Sequence, residues 1–463
     1  MEKMKYLKRV MLTMMVACGM FIVSCTSNED RPVNNDGKIP TIDEQADAMN
    51  VEIVSEEELT AQQLAESVFG DSHTLTADPT LTEFRNNFLK KQKELSDKLS
   101  EGRANGITTD YKSINFIYES KNEYGATIKL SARVYWGHFY FYGDLDPDYI
   151  VLCPHFTIGS NDECPTKKHT YEAAAICGDN LLIMPDYKGF GEAKGQVQPY
   201  INHNLCAQNC IDALVAGYKV FKQKSKAKLE SDWKLYVIGA SQGGGNALAV
   251  HKWLDTHPDF AKEWRFDYSY CCAGPYSPGL TFQKYFEQKK HPYPCVFPFT
   301  IKAMFEAYSD DLRKWKETDF YSEDYVKYHK EEMDKMIASK NYDCDAINAK
   351  FFEWYPHKGD NNIKGGKEIY LSDILSKEVM DEDSEMYKVL MNCLDDNDLT
   401  KGWQPTHRIK LYHGKGDEIV PYANAEAVVN AFPDKTSMFN SIGSDGHIGT
   451  CMKWLGTVLI NNW

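Results

Sequence analysis

The sequence has no run of lysine or arginine long enough to offset its acidity. Across 463 residues, 67 aspartates and glutamates outnumber 52 lysines and arginines, a formal net charge of −15. Nucleic acid is therefore excluded as a partner, because holding a polyanion takes a basic patch that releases its counterions. Neither a CxxC pair nor an HExxH segment occurs, so the usual spacings of a metal site are missing, and no metal or cofactor is expected. The run Asp395-Asp396-Asn397-Asp398 lacks the glycine and closing glutamate of a calcium loop and reads as a solvated turn. No internal repeat is visible.

The first apolar run is too short to span a bilayer comfortably. Lys3, Lys5, Lys8 and Arg9 precede "VMLTMMVACGMFIV" and then Ser24-Cys25, the layout of an export leader over residues 1–24. The ending "IVSC" resembles a bacterial lipobox, which implies cleavage before Cys25 and acylation of that cysteine. Two or more acyl chains anchor stably where one does not. Residues 25–60, beginning "CTSNEDRPVNNDGKIP", read as an acidic tether lifting a domain off a membrane. Acidic residues so close to the cysteine resemble the surface-export tags of some Gram-negative bacteria; a periplasmic position in the envelope fits equally. Thirteen cysteines fall to eleven once Cys18 leaves with the leader and Cys25 is acylated. An odd number cannot all pair. Cys206 and Cys210 lie one helical turn apart, and Cys271 and Cys272 would face opposite sides of a strand, so buried free thiols are expected.

Beyond a helical, acidic stretch from Ser55 to about Ser100, "SINFIYES" and "ATIKLSARVYW" read as two strands joined at Asn122–Gly125. Strands and helices then alternate. "YIVLCPHF", "LLIMP", "WKLYVIGAS" and "FDYSYCCAG" are near-continuous apolar strands, and residues 203–223 and 242–256 have helical periodicity. This pattern predicts an α/β fold: a mostly parallel sheet with helices on both faces. The rhythm stops over residues 278–404, aromatic, charged and helical in pattern, and resumes at "RIKLYHGKGDEIVP". The simplest organisation is one sheet domain, 61–277 and 405–463, interrupted by a helical cap insertion.

Within that frame one break carries chemistry. In "YVIGASQGGGNALAV" a strand ends, a small-residue turn holds Ser241, and a helix begins. Gly239 and Gly243 complete G-x-S-x-G, whose small residues allow a turn sharp enough to lift the serine clear of the sheet. The following helix start adds unpaired N–H groups and a positive dipole end. A serine needs a base. Among thirteen histidines, His447 in "IGSDGHIG" stands just past the last strand in a glycine-flanked loop. Asp417 follows the strand "IKLYHG". His407 and His413 flank that strand as neighbours, and Asp186 in "MPDYKGFG" reads as a loop-shaping carboxylate.

The order Ser241, Asp417, His447, with "PDYKGFGEAKGQVQPY" ahead of "GASQGG", resembles the α/β-hydrolases, in particular their esterase and secreted-lipase branch. The resemblance covers residues 111–277 and 404–463 but not the insertion. It implies that Ser241 is the nucleophile, His447 the base and Asp417 its orienting acid. The oxyanion hole would take the backbone N–H of Gln242 and a second donor from "PHFTIGS". The family commonly has His-Gly-x there; this chain has His155-Phe156-Thr157, which leaves Thr157 as the choice and Phe156 as the alternative.

The resemblance thus implies an envelope-anchored serine hydrolase acting on carboxylic esters, small-molecule or lipid, with membrane contact through acylated Cys25. An insertion between the sixth strand and the acid-bearing strand acts as a lid in this fold, and its proline-broken Pro292–Phe299 stretch is a plausible apolar pocket wall. Two other readings stand beside it. A serine peptidase of the prolyl-oligopeptidase kind is similar around the serine, although too little chain precedes the first strand for the propeller such enzymes carry. A non-catalytic binding protein on the same scaffold would not need three intact reactive positions.

Overall fold

Near-continuous apolar strands demand cover on both faces, and the sheet receives it. The computed structural model describes residues 39–69, 79–99, 110–139, 143–176, 178–364, 366–440 and 445–460. The leader 1–24, Cys25 and the tether up to residue 38 lie outside the described residues. From Ile42 onward the described chain forms one compact unit. Its strands are β1 (Val51–Thr60), β2 (Asp110–Lys121), β3 (Thr127–Phe139), the two-residue β4 (Gly143–Asp144), β5 (Tyr149–Leu152), β6 (Asn180–Pro185), β7 (Lys234–Ala240) and β8 (Phe266–Cys272), then β9 (Lys290–His291), β10 (Ile369–Tyr370), β11 (Arg408–His413) and β12 (Thr436–Asn440). The main sheet runs β1-β2-β3-β6-β5-β7-β8-β11-β12, with β4 beside β3; β9 and β10 pair with each other in the insertion. The pairs β1–β2, β2–β3 and β3–β6 are antiparallel, and every pair from β6 to β12 is parallel. This is the α/β sheet that the alternation of strands and helices predicts.

The two-residue period of a strand sorts side chains between two cores. Ile150, Leu181, Ile183, Leu235, Val237 and Cys271 face the helices His203–Lys224 and Gln242–Thr256. Val151, Leu182, Met184, Tyr236, Ile238 and Cys272 face the other way, toward the helices Ala61–Phe69 and His447–Ile460. Cys271 and Cys272 thus lie on opposite faces, and ten cysteines among the described residues are free. No helix among the described residues is long and apolar enough to cross a membrane.

The tether boundary at residue 60 needs correction. Residues 42–48 form a helix whose Ala46 is fully buried, and residues 51–60 form β1, paired along its length with β2. Three consecutive glutamates hid this strand, because glutamate is depleted in strands and the segment looks acidic and solvated. At a sheet edge the charges are tolerated when each has a cationic partner on a neighbouring element. Glu56 pairs with Lys224, Glu57 lies 3.0 Å from Arg133, and Glu58 reaches Lys112. The His169 hydrogen bond, with Arg133 beside it, outweighs burial and holds Glu57 down at about 2.

Between β8 and β11 the chain builds a layer of helices, including Pro278–Gln288, Val296–Ala307, Cys344–Trp354 and Glu385–Asp395. Phe297, Phe299, Phe320, Tyr325 and Phe351 give it a core of its own. The acidic run at 395–398 is not a solvated turn. Asn397 and Asp398 are buried, and Asp398 accepts from Ser277 at 2.8 Å and from the Thr400 N–H and hydroxyl. It ties the exit of the insertion to its entrance.

Deleting residues 42–60 is expected to lower the melting temperature by about 5 °C or more, since even a few kcal/mol shifts a domain of this size by that amount, and to promote aggregation through the freed edge of β2. Calorimetry of the truncated chain checks this; an unchanged transition would mean that these residues are a tether after all.

Candidate active site

The site forms where the carboxyl ends of β5, β7 and β11 meet the start of the last helix. Strand β7 ends at Ala240, and Ser241 takes φ 56° and ψ −125° before the helix Gln242–Thr256 begins. A non-glycine residue in that region costs of order 1–3 kcal/mol, held only by strong surroundings. Here the surroundings are backbone. A Cβ on Gly239 would stand 2.3 Å from the Gly243 carbonyl oxygen, and one on Gly243 would stand 2.2 Å from that of Pro154. One on Gly244 would meet the Cys272 carbonyl oxygen at 2.3 Å. The turn can therefore pack against the loop after β5 only without side chains, which is the physical content of G-x-S-x-G in this chain.

Three residues far apart in sequence converge above this turn. Ser241 Oγ lies 2.9 Å from His447 Nε2, and His447 Nδ1 lies 2.7 Å from Asp417 Oδ2. His447 and Asp417 are buried, and Ser241 is half-buried. His447 opens the final helix rather than sitting in a loop. Its backbone N–H donates to Glu418 Oε2 at 3.2 Å, which fixes the helix start beside the acid loop. The Asp417 carboxylate is held from both sides: Oδ1 accepts the Ile419 and Val420 N–H groups at 3.0 and 2.8 Å, while Oδ2 also meets His413 Nε2 at 3.2 Å. Burial pushes its pKa up, but the His447 charge and the bonds from both histidines prevail and hold it well below the usual carboxylate range. At His447, burial pushes down while Cys451, Asp417 and Glu418 push up, and the imidazole ends raised, at about 9.

Gln242, Phe156 and Thr157 border the serine on the same cavity wall. His155 braces their loop: its ring stacks on Tyr187 at 4.0 Å and its carbonyl accepts the Tyr187 hydroxyl at 2.8 Å. Asp186 shapes the neighbouring loop by accepting from Ser131 and from the Thr166 N–H. The cavity is about 220 Å³. One wall comes from the sheet domain (Glu172, Met452, Trp454, Leu455) and the other from the insertion (Phe282, Tyr285, Tyr293, Val296). Of the proline-broken stretch, Tyr293 and Val296 face the cavity, whereas Phe297 and Phe299 belong to the insertion's own core. Glu418 and Glu172 escaped the sequence reading. The available signal for Glu172 was a lone charge in the apolar segment "YEAAAIC".

A second serine–histidine–aspartate cluster lies elsewhere. His251 Nδ1 is 2.7 Å from Ser269 Oγ, and its Nε2 is 3.1 Å from Asp255. All three are buried, none lines the cavity, and Asp255 also accepts from Thr406 and His407. This cluster pins the helix Gln242–Thr256 to β8 and to the approach to β11. That accounts for His407 as a structural neighbour; His413, by contrast, touches the acid. Among the described residues no cluster of histidine, cysteine, aspartate and glutamate converges as metal ligands do.

No protein-family model matches the chain, and no curated protein matches it in sequence. Solved structures do. The rice cell wall degrading esterase LipA from Xanthomonas oryzae superposes with a TM-score of 0.61 at 16% identity, over 80% of this chain and 94% of that one. A putative hydrolase from Legionella pneumophila gives 0.62 at 16%, over 88% and 96%. Candida antarctica lipase A gives 0.51 at 13%, over 73% of each chain. The protein has the α/β-hydrolase fold. Within that class its likeness is to structures of esterases and lipases.

Because a Gly243 Cβ has only backbone to meet, Gly243→Ala is expected to destabilise the fold by about 1–3 kcal/mol, the usual range for overpacking. Chemical denaturation measures it; a neutral result would show that the β5 loop yields freely.

Proposed function

We propose that this protein is a serine hydrolase that cleaves carboxylic esters through an acyl-enzyme. The observation that carries the reading is the continuous hydrogen-bonded path from Ser241 Oγ through His447 to Asp417 at the wall of an apolar cavity. Ser241 Oγ attacks the ester carbonyl carbon as His447 Nε2 takes its proton, and the same imidazolium returns that proton to the departing alkoxide. Water, deprotonated by His447, then releases the acid and regenerates Ser241. Asp417 keeps the imidazole in the tautomer that presents Nε2 to the serine and stabilises its charge. The Gln242 N–H, at the helix start, and one from the β5 loop receive the developing oxyanion. Both Phe156 and Thr157 border the cavity beside Ser241, and Thr157 is taken as that second donor, with Phe156 as the alternative. Fold-level likeness to esterases and lipases adds support by analogy. The leader and "IVSC" further suggest that the enzyme is held in the envelope through acylated Cys25.

A fluorophosphonate probe with a panel of aryl esters and amides tests the reading. Ser241→Ala is expected to lose the label and lower turnover by about 10⁴-fold or more, the scale on which triads fail. Ester turnover should rise with acyl chain length. Amide turnover without ester turnover would transfer the protein to the peptidases; strict preference for acetate would remove the apolar pocket from the argument.

The raised His447 gives the pH dependence its sign. Only the neutral imidazole accepts the serine proton, so kcat/KM should climb with pH above 6.5 through a midpoint near 9. Stability should move oppositely. A histidine raised on folding contributes most below its unfolded value and loses that contribution as pH rises through the same window. Paired pH profiles of kcat/KM and unfolding free energy check this; an activity midpoint below 6.5 would contradict it.

Metabolic labelling with an alkyne fatty acid in a bacterial host should mark the full-length protein and spare Cys25→Ala. Equal labelling of both would remove the anchor.

A further inference from the structure

One residue in the sheet-domain wall of the cavity has no role in the chemistry above. Glu172 lies in the first turn of the short helix Tyr171–Ile176 and lines the cavity. It is 2% exposed, and among the described residues neither of its carboxyl oxygens has a hydrogen-bond partner. Burial raises its pKa; the Thr170 hydroxyl, its own N–H and the Phe156 N–H favour the ionised form without prevailing, and no cation acts on it. An unpaired carboxylate in such a place is costly, so the group rests as the neutral acid, with one O–H donor and a carbonyl acceptor. Trp454 Nε1, from a residue on the same wall, is also buried without a partner among the described residues. Cys451, one helical turn beyond His447, lines the same cavity, as do His447 and Ser241 themselves.

A buried carboxyl that satisfies nothing inside the protein lowers stability. Its place in the wall of a cavity otherwise lined mainly by apolar side chains gives it a use. We propose that Glu172 reads a neutral hydroxyl on the part of the substrate that fills the cavity, so that the preferred esters carry a hydroxylated rather than a plain hydrocarbon group. Such a hydroxyl accepts from the acid O–H and donates to its carbonyl oxygen. A plain alkyl chain leaves both unmatched, and an ammonium group would demand the ionised form. The word ester rests on the function proposed above; the contact does not.

The test separates the two. On Ser241→Ala protein, calorimetry compares a medium-chain alkanol with the α,ω-diol of the same length. The diol is expected to bind at least as tightly as the alkanol. Adding Glu172→Leu should weaken the diol at least about tenfold relative to the alkanol, because the second hydroxyl then enters an apolar wall without a partner. Glu172→Gln, whose amide also donates and accepts, should keep the diol preference and controls for folding. Three results would overturn the inference: a diol-to-alkanol ratio unchanged by Glu172→Leu, no binding of either ligand, or tighter binding of an amino-alcohol than of the diol. With the active enzyme, 4-nitrophenyl esters with and without a terminal hydroxyl on the acyl chain should show the same pattern in kcat/KM. If wild type turns over neither ester, the ester reading fails while the binding ratio still reports on Glu172.

Discussion

The structure depends on one steric constraint, the approach of the turn after β7 to the loop after β5. These strands are neighbours in the sheet although two α-helices and another strand separate them in sequence. Parallel pairing puts the carboxyl ends of both strands at the same edge. The turn must therefore pass within van der Waals distance of the Pro154 and His155 carbonyls, and only glycine at 239 and 243 lets it. Ser241 is then forced to positive φ, which carries its side chain clear of the backbone and leaves the helix start beside it. The same approach sets Phe156 and Thr157 around the serine. The strained Ser241 turn and the placement of Phe156 and Thr157 beside it are thus consequences of a single packing contact.

Much of this was legible in the sequence because each element of it has a local signature. β6 and β7 are continuous apolar runs, and the helix Gln242–Thr256 has the bounds its periodicity predicts. Ser241, Asp417 and His447 could be named because each follows a strand, and glycines mark two of the three turns. What stayed hidden depends on partners distant in the chain. β1 is three glutamates in a row until Arg133, Lys112 and Lys224 are placed opposite them. Asn397 and Asp398 look solvated until Ser277 and Tyr308 arrive from the other end of the insertion. Residues 1–38, where the leader and Cys25 fall, lie outside the described part of the chain.

A constellation of residue types is not a site, as the chain's two serine–histidine–aspartate clusters demonstrate. In both, a histidine bridges a hydroxyl and a carboxylate at hydrogen-bond distance. Around His251 every member is buried away from the cavity, and burial depresses the imidazole, which suits a neutral strut between helix and strand. Around His447 the serine lines a cavity, a helix start faces it, and Cys451 with the Asp417 and Glu418 carboxylates raises the imidazole. Reactivity follows from access and field rather than from the three names. The sheet tolerates wide sequence variation because its core asks only for apolar residues at alternate positions, which is how 16% identity coexists with a TM-score of 0.61.

The buried carboxyls sort by the donors that meet them. Asp417 takes two backbone N–H groups and two imidazoles and stays ionised. Asp255 has two imidazoles, the Thr406 hydroxyl and backbone N–H groups, and is likewise held low. Asp186 has the hydroxyls of Ser131 and Thr166 and one N–H, no cation, and burial raises it. Glu172 has no well-formed bond, and burial raises it too. In these two clusters the imidazole contacts help to hold the carboxyl low, whereas at buried Asp398 the Thr400 and Ser277 donors, with Lys401, do so without one. Hydroxyl and amide donors suffice to hold the Asp186 loop, since a neutral acid can both accept and donate there. Glu172 is left with donor and acceptor both unspent, on the wall of the cavity that also holds the serine.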